Sequence, residues 1–190
     1  AVKHALKEMG NQFVLGETIE KAIQNGCEEE KNGFTYSYDM LGEAALTAHD
    51  AKGYFEAYSQ SIKSLAKHAI SARIAENPGI SIKLSALHPR YEVGQKDRVM
   101  TELVPKVVAL ANLAKQSNMG LNIDAEEADR LDLSLEVIEA SLRNETLSGW
   151  DGFGVVVQAY GKRASLVIDW LYSLAKVLDR KIMVRLVKGA

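Results

Sequence analysis

Five residues of this chain stand where chemistry would need them: Asp39, Lys83, Asp124, Gln158 and Arg185. Each closes or follows a short run rich in β-branched, leucine or aromatic residues, so each falls at or near the C-terminal end of an expected strand. Two carboxylates, a compact cation, a planar guanidinium and an amide at one level can hold an anionic substrate or steady a developing charge. The competing reading is a buried ion network, Lys83 and Arg185 against Asp39 and Asp124, with no chemistry. Buried ion pairs often add little net stability, so a working mouth accounts better for their common location. The ending Arg185-Leu-Val-Lys-Gly-Ala190 adds a second feature. Gly189 follows a strand with Lys188 beside it, which suits phosphate contact through backbone N–H groups and a point charge. An ordinary turn has the same composition.

The remaining titratable residues read as structural. None of His4, His49, His68 and His88 stands at metal-ligand spacing from a second His or Cys. His88, in Leu87-His88-Pro89-Arg90-Tyr91, lies in the loop after a strand and reads as fixing that loop rather than as catalytic. Glu126 and Glu127 read as first-turn acids of a helix, favoured by its dipole. The run Glu28, Glu29, Glu30 reads as a solvated helix face. Cys27 reads as a packing residue, with nothing nearby to lower its pKa. Nucleophile-elbow, Walker and dinucleotide fingerprints are missing, and the Gly152-Phe153-Gly154 pair precedes a strand instead of following one.

The elements that must position these residues alternate. Strands are expected at 34–38, 80–85, 121–124, 153–160 and 182–187. Between them lie stretches of helical period: Tyr54, Tyr58, Ile62, Leu65 and Ala69 with Asp50 as N-cap; Val99, Leu103, Val107, Leu110 and Leu113 with a kink at Pro105; Leu131 to Leu142; and Val167 to Leu174. A further amphipathic helix at 17–30, ended near Gly33, precedes the first strand. Strand and helix in alternation mean parallel strands with crossover helices.

Parity then chooses the fold. Ile82 and Leu84 share one face of the second expected strand, and Ser81, Lys83 and Ser85 the other. Ile123 opposes Asn122 and Asp124; Val157 opposes Gln158; Val184 and Leu186 oppose Met183, Arg185 and Val187. A doubly wound sheet buries both faces and is apolar throughout. One apolar face and one that turns polar at the strand C-termini is the pattern of a TIM barrel. The expected fold is therefore α/β, a distorted (βα)8 barrel of which only about the first five strands are present. Residues 1–33 form an N-terminal helical lead-in and 34–190 the first five units. A five-strand arc would expose two long edges, so about three further units are expected beyond Ala190, and the start, which lacks Met, reads as an excised or processed end.

Bulk properties agree. The 190 residues are 47% hydrophobic and 25% charged, with 23 basic and 25 acidic side chains nearly cancelling to −2. No basic block points to nucleic acid. The single cysteine allows no internal disulfide and fits a reducing compartment. No apolar run is long enough to span a bilayer.

The words themselves carry more. Tyr36-Ser-Tyr-Asp-Met-Leu-Gly-Glu-Ala-Ala45, Ser81-Ile-Lys-Leu-Ser-Ala-Leu-His-Pro-Arg-Tyr91, Asn122-Ile-Asp-Ala-Glu-Glu127, Gln158-Ala-Tyr160 and Arg185-Leu-Val-Lys-Gly-Ala190 resemble the proline dehydrogenase family, in the form found in the bifunctional proline utilisation A group. The resemblance runs from about Gly16 onward. It implies a distorted (βα)8 barrel with FAD bound non-covalently, oxidising L-proline to Δ1-pyrroline-5-carboxylate by hydride transfer to flavin N5 and passing electrons to a membrane quinone. Carried over residue by residue, it implies Lys83 on the proline carboxylate, Arg185 near flavin N5, and Gln158 on the isoalloxazine ring. Asp124 with Ala125 would lie beside the flavin. Lys188 with Val187, Gly189 and Ala190 would meet the ribityl-pyrophosphate region, and Asp39 would belong to the same polar cluster. The resemblance also implies an oligomer formed through other parts, cytoplasmic and peripheral at the inner face of the membrane, with an NAD-dependent aldehyde dehydrogenase module elsewhere in the bifunctional parent. The family's later strands, with their further flavin contacts and an arginine pair on the proline carboxylate, are not in this sequence. Two rivals remain: a Schiff-base barrel using Lys83 or Lys188 as the amine, and a non-catalytic barrel fragment.

Overall fold

The computed structural model of the protein describes residues 14–188. They belong to two compact units, the first ending at Tyr36 and the second beginning at Ser37. In the first unit, helix α1 (Ile19–Lys31) starts at Thr18, whose hydroxyl accepts the Lys21 N–H at 3.2 Å. It stops where Gly33 takes φ +88°, so that the Gly33 and Phe34 N–H groups return to the Glu30 and Glu29 carbonyls.

The second unit runs β1 (Ser37–Asp39), α2 (Ala48–Ala66), β2 (Gly79–Ile82), α3 (Leu84–Leu87), α4 (Lys96–Glu102), α5 (Val104–Gln116), β3 (Leu121–Ile123), α6 (Leu131–Leu142), β4 (Phe153–Gln158), α7 (Ala164–Val177) and β5 (Met183–Val187). All five strands pair in parallel, in the order β1-β2-β3-β4-β5. A doubly wound sheet reverses its strand order at a switch point. This sheet does not, and is an arc of a (βα)8 barrel.

Local chemistry shifts several expected boundaries. The first strand begins three residues later than the pattern suggested. The second ends at Ile82, because Leu84 turns straight into the one-turn helix α3, so Leu84 and Ser85 leave the sheet. Lys83 keeps extended backbone at that junction, with φ −106° and ψ 130°. The helix expected across Pro105 is two helices. Proline has no N–H to donate and is tolerated only in a first turn, so α4 stops, Leu103 intervenes, and Pro105 opens α5. Asp50 is not the N-cap of α2. Thr47 is, and Asp50 is its N3 partner: the Asp50 N–H reaches the Thr47 hydroxyl at 3.1 Å, and the Asp50 carboxylate accepts the Thr47 N–H at 2.8 Å.

Register shows the two faces directly. One set of rows runs Tyr38–Ile80–Leu121–Phe153 and Ile82–Ile123–Val155–Val184, all but Val184 buried. The other face runs Asp39–Ser81–Asn122–Gly154–Met183, with Val156–Arg185 above it. Helices α2, α5 and α6 pack in succession along the barrel's outer side. On β5 the outer residues Val184 and Leu186 are 46% and 58% exposed.

One lumen position admits no side chain. A Cβ on Gly154 would collide with the Asn122 carboxamide, whose Nδ2 donates to the Ser37 hydroxyl at 3.2 Å. Gly154→Ala should therefore cost about 1–3 kcal/mol through overpacking. Denaturant titration should show most of that loss recovered in Gly154→Ala/Asn122→Ala; simple additivity of the two losses would contradict the collision.

Candidate active site

Four of the five singled-out side chains form a continuous chain of alternating charge across the mouth. Lys83 leaves the end of β2 and donates to both Asp39 oxygens, at 2.8 and 3.0 Å, and to Asp124 Oδ2 at 3.1 Å. Asp124 follows β3 and takes an Arg185 Nη2 hydrogen bond on its other oxygen. Arg185, from β5, also donates through Nη1 to the Ser81 hydroxyl at 3.0 Å. Ser81 in turn lies 3.2 Å from the Ser37 hydroxyl. The sequence of charges is minus, plus, minus, plus. The ion network weighed against a working site is thus present in its full geometry.

Exposure grades along this chain. Asp124 and Lys83 are 10% and 17% exposed, Arg185 38% and Asp39 47%. The two inner ions are withdrawn from water and the two outer ones open to it. Burial alone would pull the Lys83 ammonium down. The hydrogen bonds it donates to Asp39, the Asp124 charge and their companions outweigh it and hold the ammonium well above the ordinary lysine value. Burial is the largest influence on Asp124 and pushes its carboxyl up, while the Lys83 charge and hydrogen bond and the Arg185 charge pull it back. Lys83 is held as a cation whose three donors are all engaged.

A second row, built largely from main-chain groups, braces the same strand ends. Ser85, at the start of α3, accepts the Ala44 N–H on its hydroxyl at 3.1 Å and the Ala45 N–H on its carbonyl at 2.9 Å. Its own N–H goes to Glu126 Oε1 at 3.1 Å. Gln158, the last residue of β4, donates through Nε2 to the Glu126 carbonyl at 3.3 Å. Burial raises the Glu126 carboxyl, and the Ser85 hydrogen bonds lower it. Glu126 is therefore not a helix first-turn acid: a three-residue turn at Ala128–Arg130 intervenes before α6, and the side chain reaches back to the start of α3. Its parity with Asp124, two residues earlier, was the available signal. Beneath the row, the buried Tyr58 hydroxyl of α2 accepts the Lys83 main-chain N–H at 3.2 Å. Glu126, Ser85 and Tyr58 are the contributors that residue type and spacing did not single out.

The other expected residues have plain positions. Ala125 follows Asp124 and is half-buried. Val187 pairs with Gln158 across β4 and β5, and Lys188 stands exposed after β5. Gly189 and Ala190, expected at the cofactor, lie outside the described residues, as does His4. His88 fixes its loop: its buried ring accepts the Arg90 N–H on Nδ1 at 3.1 Å and sits 3.2 Å from Glu102 through Nε2.

Removing the shared cation makes a testable case. In Lys83→Met, Asp39 and Asp124 would share the mouth with no ammonium between them, costing about 2 kcal/mol at neutral pH, less than a fully buried pair because Asp39 is half exposed. A carboxyl whose folded pKa lies above its unfolded value binds protons more readily when folded. Its contribution to stability therefore falls as pH rises through that window and returns on acidification. The urea midpoint of the variant should fall further below the parent's at about pH 7.5 than at about pH 5, above the ordinary carboxylate range. A pH-independent deficit would exclude carboxylate repulsion as its cause.

With this geometry described, comparison with known proteins is informative. The proline dehydrogenase family model matches residues 22–190. The bifunctional protein PutA of Salmonella typhimurium is 56% identical over 189 residues, covering 100% of this chain and 14% of the relative. The crystal structure of Bradyrhizobium japonicum proline utilization A, mutant D779Y, superposes with a TM-score of 0.82 at 55% identity, covering 92% of this chain and 18% of that one. The structure of Bdellovibrio bacteriovorus proline utilization A inactivated by N-propargylglycine superposes with a TM-score of 0.91 at 26% identity, covering 99% and 21%. This chain thus spans about one seventh of the length of its PutA relative. Matched by the family model over most of its length, the chain belongs to the proline dehydrogenase family.

Proposed function

We propose that this chain carries the substrate-anchoring and flavin-facing part of an enzyme that oxidises L-proline to Δ1-pyrroline-5-carboxylate. The observation that carries the reading is the graded charge chain: the Lys83 ammonium at the mouth, joined through Asp124 to Arg185 on the far strand. The N-propargylglycine that inactivates the Bdellovibrio relative is, like proline, a secondary amine next to a carboxylate. An incoming carboxylate would compete with Asp39, the more exposed partner, for the Lys83 ammonium. The same site disfavours Lys83 as the amine of a Schiff-base barrel. An amine that attacks a carbonyl must lose its proton, which calls for a lowered pKa, and Lys83 is raised.

The donor set at the ends of β4 and β5 fits FAD. Arg185 is a fixed cation, Gln158 offers an amide at the rim, and Lys188 is an exposed cation one residue past β5. Arg185 would sit against the ring system, where a cation favours the charge of the reduced form. Gln158 would hydrogen-bond the ring edge, and Lys188 with Gly189 and Ala190 would meet the ribityl-pyrophosphate region. When bound, the flavin would supply the acceptor for a hydride from the proline ring carbon next to nitrogen. Asp124 holds Lys83 and Arg185 in register, so that the anchor for the carboxylate and the cation beside the cofactor keep a constant separation. A quinone is proposed as the onward electron acceptor at a membrane surface, with the protein peripheral at the cytoplasmic face.

The visible spectrum of the intact protein tests this first. Flavin bands that bleach anaerobically on adding L-proline are expected; a colourless protein that takes up no FAD would overturn the reading. Lys83→Ala should mainly raise KM for proline, because the carboxylate contact is already made in the ground state. Arg185→Met should lower the flavin potential and slow reduction, and an unchanged potential would remove Arg185 from that role.

A further inference from the structure

We infer that Tyr58 and Ser61, two residues of the outer helix α2, are positioning residues that set the Asp39–Lys83 pair at the mouth. The two lie three apart, hence on one face of the helix, and both are buried. Tyr58 places its hydroxyl 3.2 Å from the Lys83 N–H. Ser61, one turn on, donates its hydroxyl to Met40 Sδ at 3.0 Å, the residue directly after Asp39. The β1–β2 ladder stops at the Asp39–Ser81 pair, so beyond that point the sheet no longer dictates the distance between the two strand ends. A single rigid turn of helix takes over, gripping one end through Tyr58 and the other through Ser61. The Tyr58 ring cannot yield: it is fully buried, and burial pushes its hydroxyl up to about 12, so it stays a neutral acceptor for the amide. Lys83 has extended backbone on one side and a helix beginning on the other. Fixing its N–H therefore fixes where its side chain leaves the wall.

The role of the pair in catalysis rests on the reading of Lys83 as carboxylate anchor; the positioning itself does not. The experiment uses the intact, flavin-loaded protein as parent, Tyr58→Phe, Lys83→Ala and Ile62→Val. The last is a buried change on the same helix with no polar contact to either strand end. Two quantities are read: kcat and KM for L-proline, and the rate of Lys83 acetylation by acetic anhydride, mapped by mass spectrometry and normalised to the exposed Lys63 of the same helix. Tyr58→Phe should raise KM about fivefold with kcat nearly unchanged, and should speed Lys83 acetylation by a similar factor, the scale of one lost buried hydrogen bond. Ile62→Val should change neither ratio. Parent-like KM and parent-like acetylation in Tyr58→Phe would overturn the inference, as would an equal rise in acetylation in Ile62→Val. Faster acetylation in Tyr58→Phe alone, with parent KM in Lys83→Ala, would uphold the positioning role and remove the carboxylate-anchor reading instead.

Discussion

A charge taken out of water must find a counter-charge close by, and the mouth of this barrel is organised around that requirement. Lys83 and Asp124 are the two ions most withdrawn from solvent, and each touches two opposite charges or donors. The outer members, Asp39 and Arg185, remain partly in water and can be shared with a ligand. The grading separates two duties that one ion pair cannot combine. The inner pair holds the geometry, and the outer groups stay available. The lumen row beneath follows from the same need. Arg185 spends a donor on Ser81, Ser81 meets Ser37, and Asn122 completes the row, which leaves room at the next strand for glycine alone.

The strand ends are tied together twice, and the ties differ in kind. The charged row is long-range and tolerant of angle, while the row of Ala44, Ser85, Glu126 and Gln158 works through hydrogen bonds that are short and directional. Ala44 is held at φ +51°, a left-handed conformation uncommon outside glycine, and its N–H is the one that the Ser85 hydroxyl accepts. A salt change that screens the first row leaves the second in place.

Much of this was legible in the chain itself, for identifiable reasons. Side-chain alternation is a two-residue rule, so the polar face of Ser81, Lys83, Asn122, Asp124 and Arg185 and the apolar face of Ile82, Ile123, Val157, Val184 and Leu186 could be read directly. Parallel pairing followed from strand–helix alternation, and the single polar face of each strand pointed to a barrel rather than a doubly wound sheet. What escaped depends on reach across the fold. Glu126 has the composition of a helix start, and only the intervening turn at Ala128–Arg130 frees its carboxyl to cross to Ser85. Tyr58 has the spacing of a core residue, which it is; its hydroxyl's destination lies 25 residues ahead. Asp50 resembled a cap because Asp is a good one, but a threonine three residues earlier offered the reciprocal pair.

The consecutive strand order also bears on how the mouth is assembled. Chains fold as they emerge, N-terminal parts first, and each strand here pairs with the one made just before it. The charged residues arrive in the order Asp39, Lys83, Asp124, Arg185. The running charge at the growing rim is then minus one, zero, minus one, zero. At no stage of synthesis do these four residues leave two uncompensated charges of the same sign, and each ion after Asp39 meets a partner already present, Lys83 on Asp39, Asp124 on Lys83 and Arg185 on Asp124.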